Sequence, residues 1–322
     1  MSEPNNPVSP WRAWFRKSDT IRSVSHQPEA LSPERFVQSL SLIQSATLDK
    51  TDALAITRSV WVMEKVSYEF FKSGDRTTNL ADLRLPVEVR PIAHCGMGIG
   101  AVERLGFEKE RLFPEIDRIS HPAYRLFAYE SIGAMFGVYQ PGPFFRLAVG
   151  LNRLGIIPMA RISRPEPGPY LAELDSSLKR LISHGLGRLL YFRSHSLAGA
   201  LRAARRSDDF DYASCVRGIA FALSMVNSSD VLKIMSTDFD FGDQGTNAAF
   251  ERGLAYALVF WEWMSPGFLD RFSSPGELYA GRRKAAEAEI EMSLGRGYLT
   301  AFDLDTGTVV QTSAWAERTP RS

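Results

Sequence analysis

Two histidines occupy matching places in the chain, each at the start of a glycine-rich apolar segment. His94 opens His94-Cys-Gly-Met-Gly98, and His184 opens His184-Gly-Leu-Gly187. Imidazole suits proton transfer near neutral pH and is a common metal ligand. If the two segments are copies of one unit, the fold can bring both rings together as a catalytic pair. The alternative is a hydrogen-bonded histidine at the start of each helix, which is favoured because neither has a carboxylate at ligand spacing.

A third candidate is Glu130, which lies in an apolar segment. Arg217 and Arg252 occupy the equivalent positions of two similar segments. A charge on such a helix should be paired or should face a cavity, because an isolated buried charge is strongly destabilising. We therefore predict a buried pair of Glu130 with one of these arginines, structural rather than catalytic. The candidates for acid–base catalysis are Glu130, His94 and His184, and those for ligand binding are Gly98, Gly187, Arg188, Arg217 and Arg252.

Two further motifs resemble ligand loops but lack essential parts. No strand precedes Gly96-Met-Gly-Ile-Gly100, and no acidic residue is placed to bind a ribose, so close helix packing explains these glycines better. The segment from Asp238 to Gly245 begins like a calcium loop, but Ala249 stands where a bidentate acid is needed. No P-loop, Ser-His-Asp order or paired Cys-x-x-Cys occurs in the sequence. We therefore expect neither a cofactor nor a metal ion.

The composition disfavours nucleic acids and membranes as partners. The 322 residues include 38 basic and 37 acidic side chains, a net charge of +1, so no bulk field attracts a polyanion. No apolar run reaches the ~18 residues of a membrane span. Cys95 and Cys215 lie in apolar helical patterns, where a thiol behaves as a small hydrophobe. Because no apolar signal region follows the N-terminus, we expect a cytoplasmic protein.

The strongest pattern in the chain is a short segment that recurs in similar form. Arg217-Gly-Ile-Ala-Phe-Ala-Leu223 returns as Arg252-Gly-Leu-Ala-Tyr-Ala-Leu258, with a looser relative at Glu130-Ser-Ile-Gly-Ala-Met-Phe136. The intervals between the echoed segments are roughly 31 to 35 residues, the size of a two-helix repeat unit. We therefore predict an all-α, duplicated, helical-repeat-like domain. In chain order its parts are a disordered arm at 1–30, a first helical half at 31–163, a proline-rich linker at 164–169 and a second helical half at 170–322 that ends in a short β-hairpin.

Apolar spacing and end signals place the helices that carry these motifs. We expect the linker to exclude helix because of its proline density, and the hairpin to turn at Asp305-Thr-Gly307. The main predicted helices are a helix starting at Ser32, Ala53–Lys72, His94–Leu105, His121–Tyr139, Tyr170–Phe192, Leu197–Arg206, Tyr212–Val226 and Phe250–Met264.

Three of these stretches together resemble a bacterial family of unknown function that is encoded near iterative polyketide synthases in enediyne antibiotic pathways. They are His184–Phe192, Arg252–Ala257 and the block from Gly96 through Tyr139, within a similarity that spans roughly residues 85 to 265. The family pattern has a His-Glu pair where this chain has Met135 and Phe136, so any catalysis by that pair is lost here. The resemblance implies an association with lipid-like polyketide metabolism and no established activity.

Two hypotheses from different classes follow. The first is an accessory protein of specialised metabolism that binds or processes a long apolar polyene or polyketide, free or carrier-bound, in a cavity of at least ~300 Å³. Twenty Phe, ten Tyr and six Trp can line such a cavity, and the glycines would leave room for a flat conjugated chain. The second is a non-enzymatic helical-repeat scaffold for a protein partner. A cofactor-free acid–base enzyme remains a third possibility.

Overall fold

The computed structural model describes residues 32–47, 53–73, 78–138, 165–194, 196–271 and 276–296, and within these ranges the regular structure is all helical. This confirms the all-α class. The predicted arm at 1–30 and the predicted hairpin after Leu299 lie outside the described residues. None of the helices described is long and apolar enough to cross a bilayer. In chain order the α-helices are α1 (Pro33–Thr47), α2 (Ala53–Ser73), α3 (Arg90–Leu105), α4 (Lys109–Ile119), α5 (Arg125–Val138), α6 (Pro167–Ala172), α7 (Ser176–Ser194), α8 (Leu197–Arg205), α9 (Tyr212–Val226), α10 (Val231–Met235), α11 (Gln244–Met264) and α12 (Glu277–Arg296).

Capping side chains fix several of the helix starts. Asp211 accepts the backbone N–H of Ser214 at the start of α9, which spans the predicted residues. Asp243 accepts from the N–H groups of Gly245 and Thr246, so α11 begins six residues before the predicted Phe250. The acidic segment that resembled a calcium loop thus ends in a helix cap.

Proline caused the main errors in helix placement. We predicted the linker at 164–169 to exclude helix, but α6 begins inside it at Pro167. Likewise α3 begins at Arg90 rather than His94, with Pro91 in its first turn. Proline is tolerated in a first turn because the N–H groups there have no partner within the helix. The single helix predicted over Tyr170–Phe192 is broken into α6 and α7, and α4 was not predicted.

Six of the described helices form a row in which each packs on the next: α2, α3, α5, α7, α9 and α11. The row bends around a shared interior, because helices that are not neighbours also meet. Trp61 of α2 contacts Phe192 of α7, with ring centroids 5.0 Å apart. Trp263 of α11 contacts Tyr124, just before α5, at 6.3 Å. Residues from the first and last helices of the row can therefore face the same interior.

Glycines mark the crossings between consecutive helices of the row. A Cβ built at Gly98 of α3 would overlap the carbonyl oxygen of Ala128 and lie 2.8 Å from its Cα. A Cβ at Gly187 of α7 would meet Cys215 of α9 in the same way, also 2.8 Å from its Cα. The neighbouring backbone fills the space beside each glycine. The missing side chains thus serve helix packing, and neither glycine leaves room for a ligand.

The α3–α5 and α7–α9 crossings share one register. In the first, Ser131 Oγ donates a hydrogen bond of 2.9 Å to the carbonyl oxygen of Cys95, three residues before Gly98. In the second, Gly218 packs on the carbonyl group of His184, three residues before Gly187. In both crossings the carbonyl group that is contacted therefore lies three residues before the crossing glycine.

Replacing either crossing glycine should destabilise the fold. We expect Gly98→Leu and Gly187→Leu each to lower the free energy of unfolding by more than about 2 kcal/mol, since the added side chain must push two helix backbones apart. Gly281→Leu in α12 is the matched control, because a Cβ there meets no atom within 4 Å. Urea unfolding followed by circular dichroism measures the difference. Unchanged stability in both crossing variants would remove the packing explanation.

Candidate functional site

The interior of the row holds a buried carboxylate with two cationic or basic partners. Glu130 on α5 keeps only 1% of its side-chain exposure. Its Oε1 lies 2.7 Å from Nδ1 of His184 and 3.1 Å from Nη1 of Arg188. His184 and Arg188 are one turn apart on α7, so both side chains project towards α5. The expected ion pair of Glu130 exists, but Arg188 forms it rather than Arg217 or Arg252.

Close packing of α5 and α7 makes these short distances possible. Gly185 of α7 packs directly on the carbonyl group of Glu130, and Gly133 of α5 packs on that of Ile182. With no Cβ at either position, the two backbones approach closely. The two glycines thereby determine how far the Glu130 carboxylate lies from the side chains of His184 and Arg188.

The surroundings of Glu130 keep it ionised. Burial raises the pKa of this carboxyl, but the charge of Arg188, the interaction with His184 and both hydrogen bonds outweigh it, so the pKa lies below its ordinary value. An ionised carboxylate can only accept hydrogen bonds, so Nδ1 of His184 carries the proton that it donates. In the neutral imidazole the basic lone pair is then on Nε2.

A second carboxyl, Glu64 of α2, faces the same interior. Desolvation raises the pKa of Glu64, the nearby Arg188 opposes that shift, and the charge of Glu130 adds to it. The two carboxyls therefore have opposite pKa shifts although both interact with one arginine. Such divergence is typical of acid and base pairs in active sites, although structural charge networks also produce it.

Arg188 is only partly satisfied by its neighbours. It donates to Glu130, interacts with the Cys95 thiol and stacks 5.2 Å from the ring centre of Phe221. Among the described residues its Nε atom is buried without a hydrogen-bond partner. Leaving a buried donor unpaired costs about 1–3 kcal/mol. The side chain nevertheless keeps 15% of its exposure.

Aromatic rings form one wall of this cluster. The ring of His184 lies 5.5 Å from Tyr256 and 6.0 Å from Phe221, measured between centroids. Phe221 in turn stacks on Tyr256 at 5.0 Å and meets Phe260 edge-on at 5.3 Å. Burial raises the pKa of Tyr256 well above its ordinary value, so its phenol stays neutral. The polar groups are thus bordered by a largely apolar surface.

His94, the other candidate histidine, is held by backbone hydrogen bonds. Its Nδ1 lies 2.7 Å from the carbonyl oxygen of Arg90, and its Nε2 accepts the backbone N–H of His121 at 2.9 Å. Both nitrogens are therefore engaged by backbone groups, which fixes the tautomer. Burial lowers the pKa of His94 to about 3. His94 and His184 therefore have different partners, backbone groups for His94 and the Glu130 carboxylate for His184.

Of the other arginines predicted to bind a ligand, Arg217 takes part in helix packing and Arg252 lies at the surface. Arg217 contributes its backbone to the α9–α11 crossing, where Gly253 packs against it. Arg252 is exposed. Of the predicted ligand-binding set, Arg188 alone lies in the Glu130 cluster.

Sequence reasoning missed Glu64, Cys95 and Tyr256 as members of the cluster. Glu64 lies in an amphipathic helix, where an acidic residue is normally a solvated one. The pair His184 and Arg188 was one signal in the sequence that could have located the cluster, because a spacing of four residues places both side chains on one helix face beside glycines.

Comparisons with known proteins identify no relative. No family model, curated protein or solved structure matches the chain. Within the described residues, no group of three or more His, Cys, Asp and Glu side chains could hold a metal ion. The side chains of the cluster themselves offer acid–base chemistry. An imidazole oriented by an ionised carboxylate can act as a general base, and a carboxyl with a raised pKa can act as an acid.

The Glu130 charge should be essential for stability. Glu130→Gln leaves the Arg188 charge without its carboxylate, and breaking a buried pair in this way costs about 3–5 kcal/mol. Glu108→Gln is the control, because its pair with Arg111 is solvent-exposed and should change stability by less than about 1 kcal/mol. Denaturant unfolding at pH 7 tests both variants.

The contribution of the Glu130 charge to the free energy of unfolding should also depend on pH. The pKa of Glu130 is lower in the folded than in the unfolded chain, so its stabilisation is present above the unfolded value near 4.3 and is lost as pH falls through the folded value. The stability gap between wild type and Glu130→Gln should therefore narrow below about pH 4.3. A gap that stays constant down to the acid transition would contradict an ionised Glu130.

His94 should resist protonation in the folded protein. With a pKa of about 3, it should keep the neutral Nδ1–H form at pH 5, where an unfolded-chain histidine is charged. Nitrogen-15 NMR of labelled histidine distinguishes these forms. Because the folded pKa is depressed, the contribution of His94 to stability is present above about pH 6.5 and is lost as pH falls towards 3. An imidazolium signal from His94 in folded protein at pH 5 would refute this assignment.

Proposed function

We propose that the protein is an accessory protein of specialised, enediyne-like polyketide metabolism that binds or processes a long apolar polyene or polyketide intermediate in its interior. The observation that carries the proposal is the buried Glu130–His184–Arg188 cluster bordered by aromatic rings. The association with polyketides comes from the resemblance of the glycine-rich motifs. The acid–base role comes from the side chains of the cluster.

A purely structural role accounts poorly for this cluster. Burying charged groups is costly, and replacing a buried ion pair by apolar residues of similar volume is often neutral or stabilising. Here Glu64, Glu130 and Arg188 come from three different helices and include an unpaired buried donor. Two carboxyls whose pKa values are shifted in opposite directions, in apolar surroundings, favour a chemical use.

The arrangement fits proton transfer on an apolar ligand without a cofactor. His184, held by Glu130, can remove a proton through Nε2, and Glu64 can supply one because its surroundings favour the neutral acid. The rings of Phe221 and Tyr256 offer flat apolar surfaces to a conjugated chain. Proton removal at one carbon and delivery at another would shift a double bond, with no other reactant needed.

The bent row of helices is less consistent with an open scaffold. In a helical solenoid each unit contacts only its neighbours. Here Tyr256 of α11, Glu64 of α2 and Glu130 of α5 interact electrostatically within one interior, although α11 and α2 are at opposite ends of the row. We propose that the row arose by internal duplication, which the shared register of the α3–α5 and α7–α9 crossings supports.

Ligand retention tests the proposal directly. Native mass spectrometry of the purified protein should detect a lipid-like bound mass that disappears on denaturation, and trans-parinaric acid should bind with a rise in fluorescence. Phe221→Ala should reduce both signals, because the ring borders His184 and Arg188. Phe113→Ala is the control, since its ring contact is with Tyr129 instead. No adduct, together with no binding of fatty acids or polyenes, would refute the proposal.

A further inference from the structure

We infer that Arg188 is the docking group for an acidic head group, so that the ligand of this interior site is an apolar chain ending in a free carboxylate. This inference rests on the proposed function and specifies its substrate class. It is carried by the geometry of the guanidinium and its neighbours.

The donors of Arg188 are only partly used. Nη1 binds Oε1 of Glu130 at 3.1 Å, and the guanidinium also interacts with the Cys95 thiol. Its Nε is buried and has no hydrogen-bond partner among the described residues. Buried donors in folded proteins are nearly always paired, so an acceptor is expected at this edge. The N–H groups of a guanidinium form a planar fork that fits both oxygens of a carboxylate.

Among the described residues, no carboxylate is hydrogen-bonded to that edge. Glu64 is close enough for its charge to interact with Arg188, but its pKa shift includes no hydrogen bond. Glu130 is engaged through Oε1 with Nη1 and with His184. The Nε edge of Arg188 is therefore available to an acceptor that is not part of the described chain.

The ionised carboxylate already beside Arg188 is Glu130, which accepts hydrogen bonds from both Arg188 and His184. Tyr256 and Cys95 stay neutral because burial raises the pKa of each, and desolvation also raises the pKa of Glu64. A ligand carboxylate at Arg188 would therefore add one negative charge to the cluster, and neutral His184 would keep its basic Nε2.

The aromatic rings beside Arg188 indicate the direction in which the apolar chain of the ligand would run. Phe221 lies under the guanidinium at 5.2 Å, with Tyr256 and Phe260 next to it. An acidic head at Arg188 would continue into an apolar chain along these rings. A free acid, unlike a carrier-bound thioester, places this step after hydrolytic release of the chain from its carrier.

The test compares trans-parinaric acid with its methyl ester, which has the same polyene and no negative charge. For wild type at pH 7.5, fluorescence titration should give at least about tenfold tighter binding of the acid, as expected for a charge-assisted, two-point contact. Arg188→Lys keeps a positive charge for Glu130 but lacks the fork, so the acid-to-ester ratio should fall several-fold. Arg202→Lys, at an exposed arginine of α8, is the control and should keep the wild-type ratio.

Equal affinities of acid and ester for wild type, or an unchanged ratio in folded Arg188→Lys, would overturn the inference and leave the proposed function standing. Failure of both ligands to bind would overturn the proposed function itself. If Arg188→Lys does not fold, carbon-13 NMR of carboxyl-labelled palmitic acid bound to wild type tests whether the ligand carboxylate docks on Arg188. A bound carboxyl that stays ionised below pH 4.5 supports docking on Arg188, and one that titrates as in solution refutes it.

Discussion

Backbone contact between α5 and α7 is the constraint on which the rest of the interior depends. Gly133 and Gly185 let the two helices approach until each packs on the other's carbonyl groups. At that separation a glutamate on one helix reaches a histidine and an arginine on the other. The same kind of crossing at Gly96, Gly98, Gly187 and Gly253 brings the remaining helices of the row close together. Small residues therefore determine both the helix spacing and the position of the charges.

The sequence was most informative where one physical cause dominates. Several glycines in apolar helical patterns are costly unless something is packed against them, and the structure places neighbouring helix backbones there. A glutamate in an apolar segment needs a partner, and Glu130 has two. The class of interaction could be predicted because burying an unpaired charge is so unfavourable. The identity of its partner could not be predicted, because positions that match between similar segments of a sequence need not face the same interior in the fold.

Other features depend on tertiary contacts that leave little trace in a single sequence. His94 and His184 look alike in their local motifs, yet one is bound by two backbone groups and the other by a carboxylate. The difference comes from the segment around His121, whose backbone N–H reaches His94. Glu64 looks like a solvated residue of an amphipathic helix until the bend of the row places α2 beside α7.

The opposite pKa shifts of Glu64 and Glu130 show that two carboxyls near one arginine can differ in protonation behaviour when only one of them is hydrogen-bonded to it. Glu130 is directly hydrogen-bonded to Arg188, and its attraction outweighs the cost of burial. Glu64 interacts only at longer range, so desolvation prevails and the neutral acid is favoured. Making both carboxyls strong partners of Arg188 would stabilise the fold but would remove the proposed proton donor. Leaving one of them without a hydrogen bond to Arg188 lowers stability and keeps the proposed acid, the proposed base and an arginine edge in the same apolar interior, which is the combination that the proposed chemistry on an acidic chain requires.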